Sequence, residues 1–79
     1  MQEPILFRKA KKISKIEDLK IGKYYYFYNE LYQYCGNIEP FKMAYAFTTP
    51  VGTFYMNGAC FNELVKNEGV YLCYICRDS

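Results

Sequence analysis

The chain has 79 residues, a formal charge of +2, ten Tyr, six Phe, and neither Trp nor His. That length holds one domain, and aromatic side chains that each remove roughly 150–250 Å² from water supply a core without a metal or a disulfide. The lack of His removes the commonest general base and metal ligand, and no run approaches the roughly 20 apolar residues of a membrane helix.

Pro4 disfavours an early helix, so residues 1–13 are expected to be a basic extended N-terminal segment ahead of the rest of the domain. The order of residues from Met1 to Arg8 is not that of a signal peptide, and no Asn-x-Ser/Thr acceptor occurs. A cytoplasmic location is expected on these grounds. Residues 8–23 carry Arg8, Lys9, Lys11, Lys12, Lys15, Lys20 and Lys23 against Glu17 and Asp18, a local net of +5, whereas residues 24–79 carry −2. The asymmetry is more informative than the total.

Ser14-Lys15-Ile16-Glu17 fits a capping box and predicts one helical turn ended by Gly22. The five consecutive aromatics Tyr24 to Phe27 and Tyr28 then predict a strand. A turn at Asn29-Glu30 leads to a returning strand over 31–38, in which Gly36 marks a bulge. Phe41, Met43, Tyr45 and Phe47 alternate with Lys42, Ala44, Ala46 and Thr48, the clearest period-two signal in the chain. Pro50-Val51-Gly52 predicts a turn, 53–56 the hairpin partner, and Asn57-Gly58 another turn. Phe61, Leu64 and Val65 predict a short helical piece over 59–66, and Val70 to Cys76 a final strand that is apolar on both faces and suits either core or dimer burial.

Five or six short strands in a chain of this size point to a mostly β fold, closed or nearly closed into a barrel. The run from Ile16 to Tyr25 resembles the lead-in to many SH3-like barrels, where an Asp-Leu-x-x-Gly-x-x-Tyr pattern precedes a barrel strand; here it is Asp18, Leu19, Gly22 and Tyr25. Tyr34-Cys35-Gly36-Asn37-Ile38 is similar to the second strand of that fold, and the turn at 59–66 to its 3₁₀ element. The resemblance covers residues 16–76 and implies an SH3-like barrel of five to six strands with one or two helical turns. In its small size and its Lys, Tyr and Asn content the chain also resembles accessory proteins of phages and mobile elements.

Catalytic signatures are scarce. Glu17-Asp18 and the Glu63/Glu68 pair read as solvated carboxylates, and neither a phosphate loop nor a nucleophile elbow occurs. No enzyme and no cofactor is expected. Cys73-Tyr74-Ile75-Cys76 has the spacing of a metal or redox motif, yet in a strand its two thiols point to opposite faces, so buried free thiols are the preferred reading of all four cysteines.

Two functions from different classes remain. The first is a non-enzymatic module that binds a protein partner through Tyr24, Tyr26, Tyr28, Tyr32 and Tyr34, as a phage-type modulator of a host protein would, or that forms a homodimer. The second is a nucleic-acid-binding barrel in which Arg8, Lys9, Lys11, Lys12 and Lys15 meet phosphates and exposed tyrosines stack on bases. In either case some of the tyrosines of hairpin 23–38 serve as core.

Overall fold

Strand formers and period-two alternation dictate most of what the chain does. The computed structural model describes residues 6–39 and 44–76. Six strands, β1 (Phe7–Ile13), β2 (Tyr24–Phe27), β3 (Glu30–Glu39), β4 (Ala44–Thr49), β5 (Gly52–Met56) and β6 (Val70–Ile75), form one antiparallel sheet. A 3₁₀ turn, η1 (Ile16–Asp18), follows β1, and one helix, α1 (Gly58–Asn67), precedes β6. The order is β1-β6-β2-β3-β4-β5. The fold is thus mostly β with six strands, but the sheet has two ends and is not closed into a barrel. The basic segment is not an appendage, because residues 7–13 are an end strand of the sheet.

Local chemistry departs from expectation at three turns. The two residues outside the β2–β3 pairing are Tyr28 and Asn29, with φ of 50° and 59°, one position earlier than expected. Positive φ at both positions is the geometry of a type I′ turn, whose twist matches that of the flanking strands. Asn57-Gly58 is not a hairpin turn; the Asn57 side chain accepts from the Cys60 N–H at 2.8 Å and caps α1. The Ser14/Glu17 capping box does not form either. Lys15 occupies the N-cap of η1 without a side-chain bond, and the Asp18 carboxylate accepts from the Ser14 N–H at 3.3 Å.

The Gly36 bulge is present: the β3–β4 register shifts between Tyr34 and Gly36, and Gly36 has φ of 105°. A Cβ there would meet Ile21 Cδ1 at 3.1 Å, so both conformation and space favour glycine. Tyr45 and Phe47 share a buried face as the alternation predicts. Phe41, Lys42 and Met43 lie outside the described residues.

The core occupies one face of the sheet. Tyr25, Phe27, Tyr32, Tyr34, Tyr45, Phe47, Ile13 and Val70 pack there with Phe61 and Leu64 of α1. Phe47 is central: its ring lies 5.4 Å from Phe27, 5.3 Å from Tyr34 and 6.2 Å from Phe61, the last pair stacked within 7°. The Tyr25 hydroxyl accepts from the Lys20 N–H at 2.8 Å, which ties the loop after η1 to β2 and satisfies a phenol that is otherwise fully buried.

Replacing Phe61 with Ala empties the contact between α1 and the sheet and is expected to cost about 3–5 kcal/mol. Urea denaturation reads this directly, and a loss below about 1 kcal/mol would mean that α1 is held by something other than this ring.

Candidate functional site on the open sheet face

Directly paired strand residues share a face, so the register fixes which side chains stand opposite the helix. Tyr24 pairs with Gln33 and Cys73, and Tyr26 with Leu31 and Tyr71. Lys9 pairs with Cys73, and Lys12 with Tyr71. The face away from α1 therefore gathers Tyr24 and Tyr26 from β2, Tyr71 and Cys73 from β6, and Lys9 and Lys12 from β1. Phe7 joins them with its ring 5.2 Å from that of Tyr26.

Lys9 is the organising cation. Its ammonium sits 4.6 Å from the Tyr26 ring centroid and 4.9 Å from that of Tyr71, within cation–π range of both. Its strand partner Cys73 has a thiol that is 1% exposed and donates to the Tyr71 carbonyl oxygen at 3.4 Å. Burial pushes this thiol above its ordinary value, although the Lys9 charge and a backbone hydrogen bond from Tyr26 pull the other way. A thiol kept protonated is a packing group rather than a nucleophile. Beside Tyr24, the face carries a shallow hollow of about 230 Å³ lined by Leu31, Gln33, Thr48, Thr49 and Pro50.

The basic run is divided between the two faces. A register shift between Lys9 and Lys11 leaves Lys9 and Lys12 on the open face and turns Arg8 and Lys11 toward the other side, where the Arg8 guanidinium lies 6.0 Å from the Tyr74 ring. Lys15 is exposed just before η1. Strands β1, β6 and β2 carry no acidic residue, so nothing on them neutralises these cations.

The five tyrosines named from the sequence do not form one surface. Tyr24 and Tyr26 are half-buried on the open face. Tyr32 and Tyr34, each 6% exposed, belong to the core, with Tyr32 stacked 4.1 Å from Phe27. Tyr28 is 58% exposed, but at the hairpin turn it faces a groove of about 450 Å³ lined by Cys60, Glu63, Leu64 and Glu68 of the α1 region. Sequence reasoning missed Tyr71 and Phe7. Tyr71 stands in a strand with apolar residues on both faces, so no alternation announced its direction; only the pairing of β6 with β2 brings it to Tyr26.

The final strand is paired on both sides, with β1 and with β2, so its backbone is not available to a second copy. The expectation of buried free thiols holds for Cys73 alone; Cys35, Cys60 and Cys76 are free but exposed, Cys76 beyond the end of β6. Among the described residues no group of three or more His, Cys, Asp or Glu side chains is placed to hold a metal ion, and no helix is long and apolar enough to cross a membrane. Comparison with protein-family models, curated proteins and solved structures finds no match to this chain.

Burial raises the phenols of Tyr25, Tyr32 and Tyr34 above the ordinary 10.0, with further upward pushes from Asp18 on Tyr25 and Glu30 on Tyr32. A folded-state value above the unfolded one gives stability that is intact below the unfolded value and lost as pH rises through the folded one. The fold is therefore expected to weaken above about pH 10, with these phenolates appearing as the chain unfolds. Ultraviolet phenolate absorbance followed together with far-ultraviolet circular dichroism checks this. Complete ionisation of all the tyrosines in a chain that stays folded would contradict it.

Proposed function

We propose that this protein is a non-enzymatic binding module whose open sheet face takes single-stranded nucleic acid. The observation that carries the reading is the juxtaposition of Tyr24, Tyr26 and Tyr71 with Lys9 and Lys12 on three neighbouring strands that contain no carboxylate. Phosphates need cations, and bases need aromatic faces on which any of the four can stack. Tyr24 and Tyr26 stand about 7 Å apart along β2, two residues at strand rise, a spacing that suits successive bases once Lys9 exchanges the Tyr26 ring for a phosphate. In the hollow beside Tyr24 the Gln33 amide nitrogen donates to the Gly22 carbonyl oxygen and the Thr48 hydroxyl is bonded to that of Thr53, which leaves the Gln33 side-chain oxygen as the acceptor for a base edge. Arg8 and Lys11, on the other face of β1, and Lys15, just before η1, add positive charge at the same edge of the sheet.

A protein partner is the second reading, favoured by the groove between Tyr28 and α1, where an exposed ring adjoins the apolar Leu64 side chain and the carboxylates Glu63 and Glu68. A phage-type modulator of a host protein, acting in the cytoplasm, belongs to this reading. Kinship with SH3-like modules remains part of the proposal as well. It is supported by Asp18, Leu19, Gly22 and Tyr25, which lead from η1 into β2 in the spacing of that resemblance.

Binding to a labelled single-stranded oligonucleotide is expected to weaken with added salt. Replacing Lys9 and Lys12 with Gln is expected to make the log–log salt slope shallower by about 1.4, the share of two phosphate contacts on a single strand. Tyr26→Ala is expected to cost about 1–3 kcal/mol of affinity in a chain whose denaturation shows it folded. Absence of binding at low salt would remove the nucleic-acid reading, and capture of a host protein lost in Tyr28→Ser would support the second one.

A further inference from the structure

The two ends of the sheet are built differently. At one end, β1 presents Arg8, Lys9, Lys11 and Lys12 and is broken by a register shift, two devices that discourage another strand from adding there. At the other end, β5 reads Gly-Thr-Phe-Tyr-Met and pairs with β4 over five successive residues with no shift. It has no charge and no Pro, and no charged residue occurs anywhere between Lys42 and Glu63. Among the described residues β5 has no second neighbour. A regular, uncharged end strand carries unpaired backbone groups that favour another strand.

We infer that β5 pairs antiparallel with β5 of a second copy of this chain, joining two six-stranded sheets into one across a two-fold axis. Pairing centred on Phe54 sets Phe54 against its counterpart on the core face, where this half-buried ring already packs 5.1 Å from Tyr32 and 6.1 Å from Phe47. On the open face it sets Tyr55, 58% exposed, against Thr53 of the other copy. Met56 falls opposite Gly52, where even an added Cβ would meet nothing within 4 Å, so there is space for the larger side chain.

The charge distribution selects this occupant over the alternatives. Pairing β1 with β1 would oppose four cations to four, and like charges directly opposite destabilise a sheet. Pairing β1 with β5 is heterologous and leaves a free end of each kind, which propagates instead of closing. The β5–β5 contact closes on itself and brings no charges together. A five-residue strand buries little area, so the association is weak and depends on concentration. The contact is independent of the nucleic-acid reading, since it uses a sheet edge that the Lys9 cluster does not reach.

Sedimentation equilibrium from low micromolar to millimolar protein, without nucleic acid, tests it together with amide hydrogen exchange. The expected result is a mass rising toward twice the 9.4 kDa of the chain, with amides of β5 slowing as concentration rises. Thr53→Lys with Tyr55→Lys places lysine opposite lysine at both ends of the contact and is expected to weaken association roughly tenfold or more. Tyr55→Lys alone, at an exposed position, serves if the double variant does not fold. A mass that stays at one chain up to millimolar concentration, with β5 amides exchanging freely, would overturn the inference. So would a dimer that protects β1 instead, or one that is indifferent to the lysines.

Discussion

The stacking of Phe61 on Phe47 is the contact on which the rest of the molecule depends. Six strands offer two faces, but a chain of this length supplies one helix among its described residues, and a helix covers one face only. Phe47, fully buried, receives Phe61 from α1 on one side and Phe27, Tyr34 and Phe54 from neighbouring strands around it. This cluster decides which face becomes core. The phenols of Tyr25, Tyr32 and Tyr34 are then withdrawn from solvent as a consequence, not through any property of tyrosine itself.

The other face must be compatible with water without being wholly polar. Tyrosine and lysine suit that requirement because each pairs an apolar body with a polar tip. Lys9 brings its ammonium over both the Tyr26 and Tyr71 rings and so keeps its charge against the ring faces. Lys9 also pairs with Cys73 across β1 and β6, and that thiol is almost completely buried although it stands on the side of the sheet away from α1. The same side chains that solve this problem of exposure leave a cationic, aromatic surface. Glu63 and Glu68 lie on and beside α1, and Glu17 and Asp18 in η1, away from it.

The sequence by itself determined a good deal. Element types follow from local spacing: the aromatic run through Phe27, the alternation through Tyr45 and Phe47, the glycine at the β3 bulge and the helical spacing of Phe61, Leu64 and Val65 all correspond to observed structure, whereas Tyr28 falls in the turn. Strand geometry by itself also separates Tyr24 and Tyr26 from Tyr25 and Phe27, since a strand sends neighbours to opposite faces. Turn positions were less legible. Asn-Gly serves a hairpin or a helix cap equally well, and only the residues that follow fold in a way that chooses.

What tertiary structure alone decided was which face is inside and which strands are neighbours. Alternation gives two sets of side chains but no sign, so Tyr32 and Tyr34 looked as eligible for the surface as Tyr24 and Tyr26 until α1 docked on their side. Closure into a barrel was likewise not readable, because it depends on whether the end strands meet. The insertion of β6 between β1 and β2 pairs residues 45 positions apart in sequence, Tyr26 with Tyr71, and no short-range pattern encodes that meeting. The cation–aromatic cluster exists because of that pairing, and the uncharged β5 edge matters because the chain leaves it at the end of the sheet.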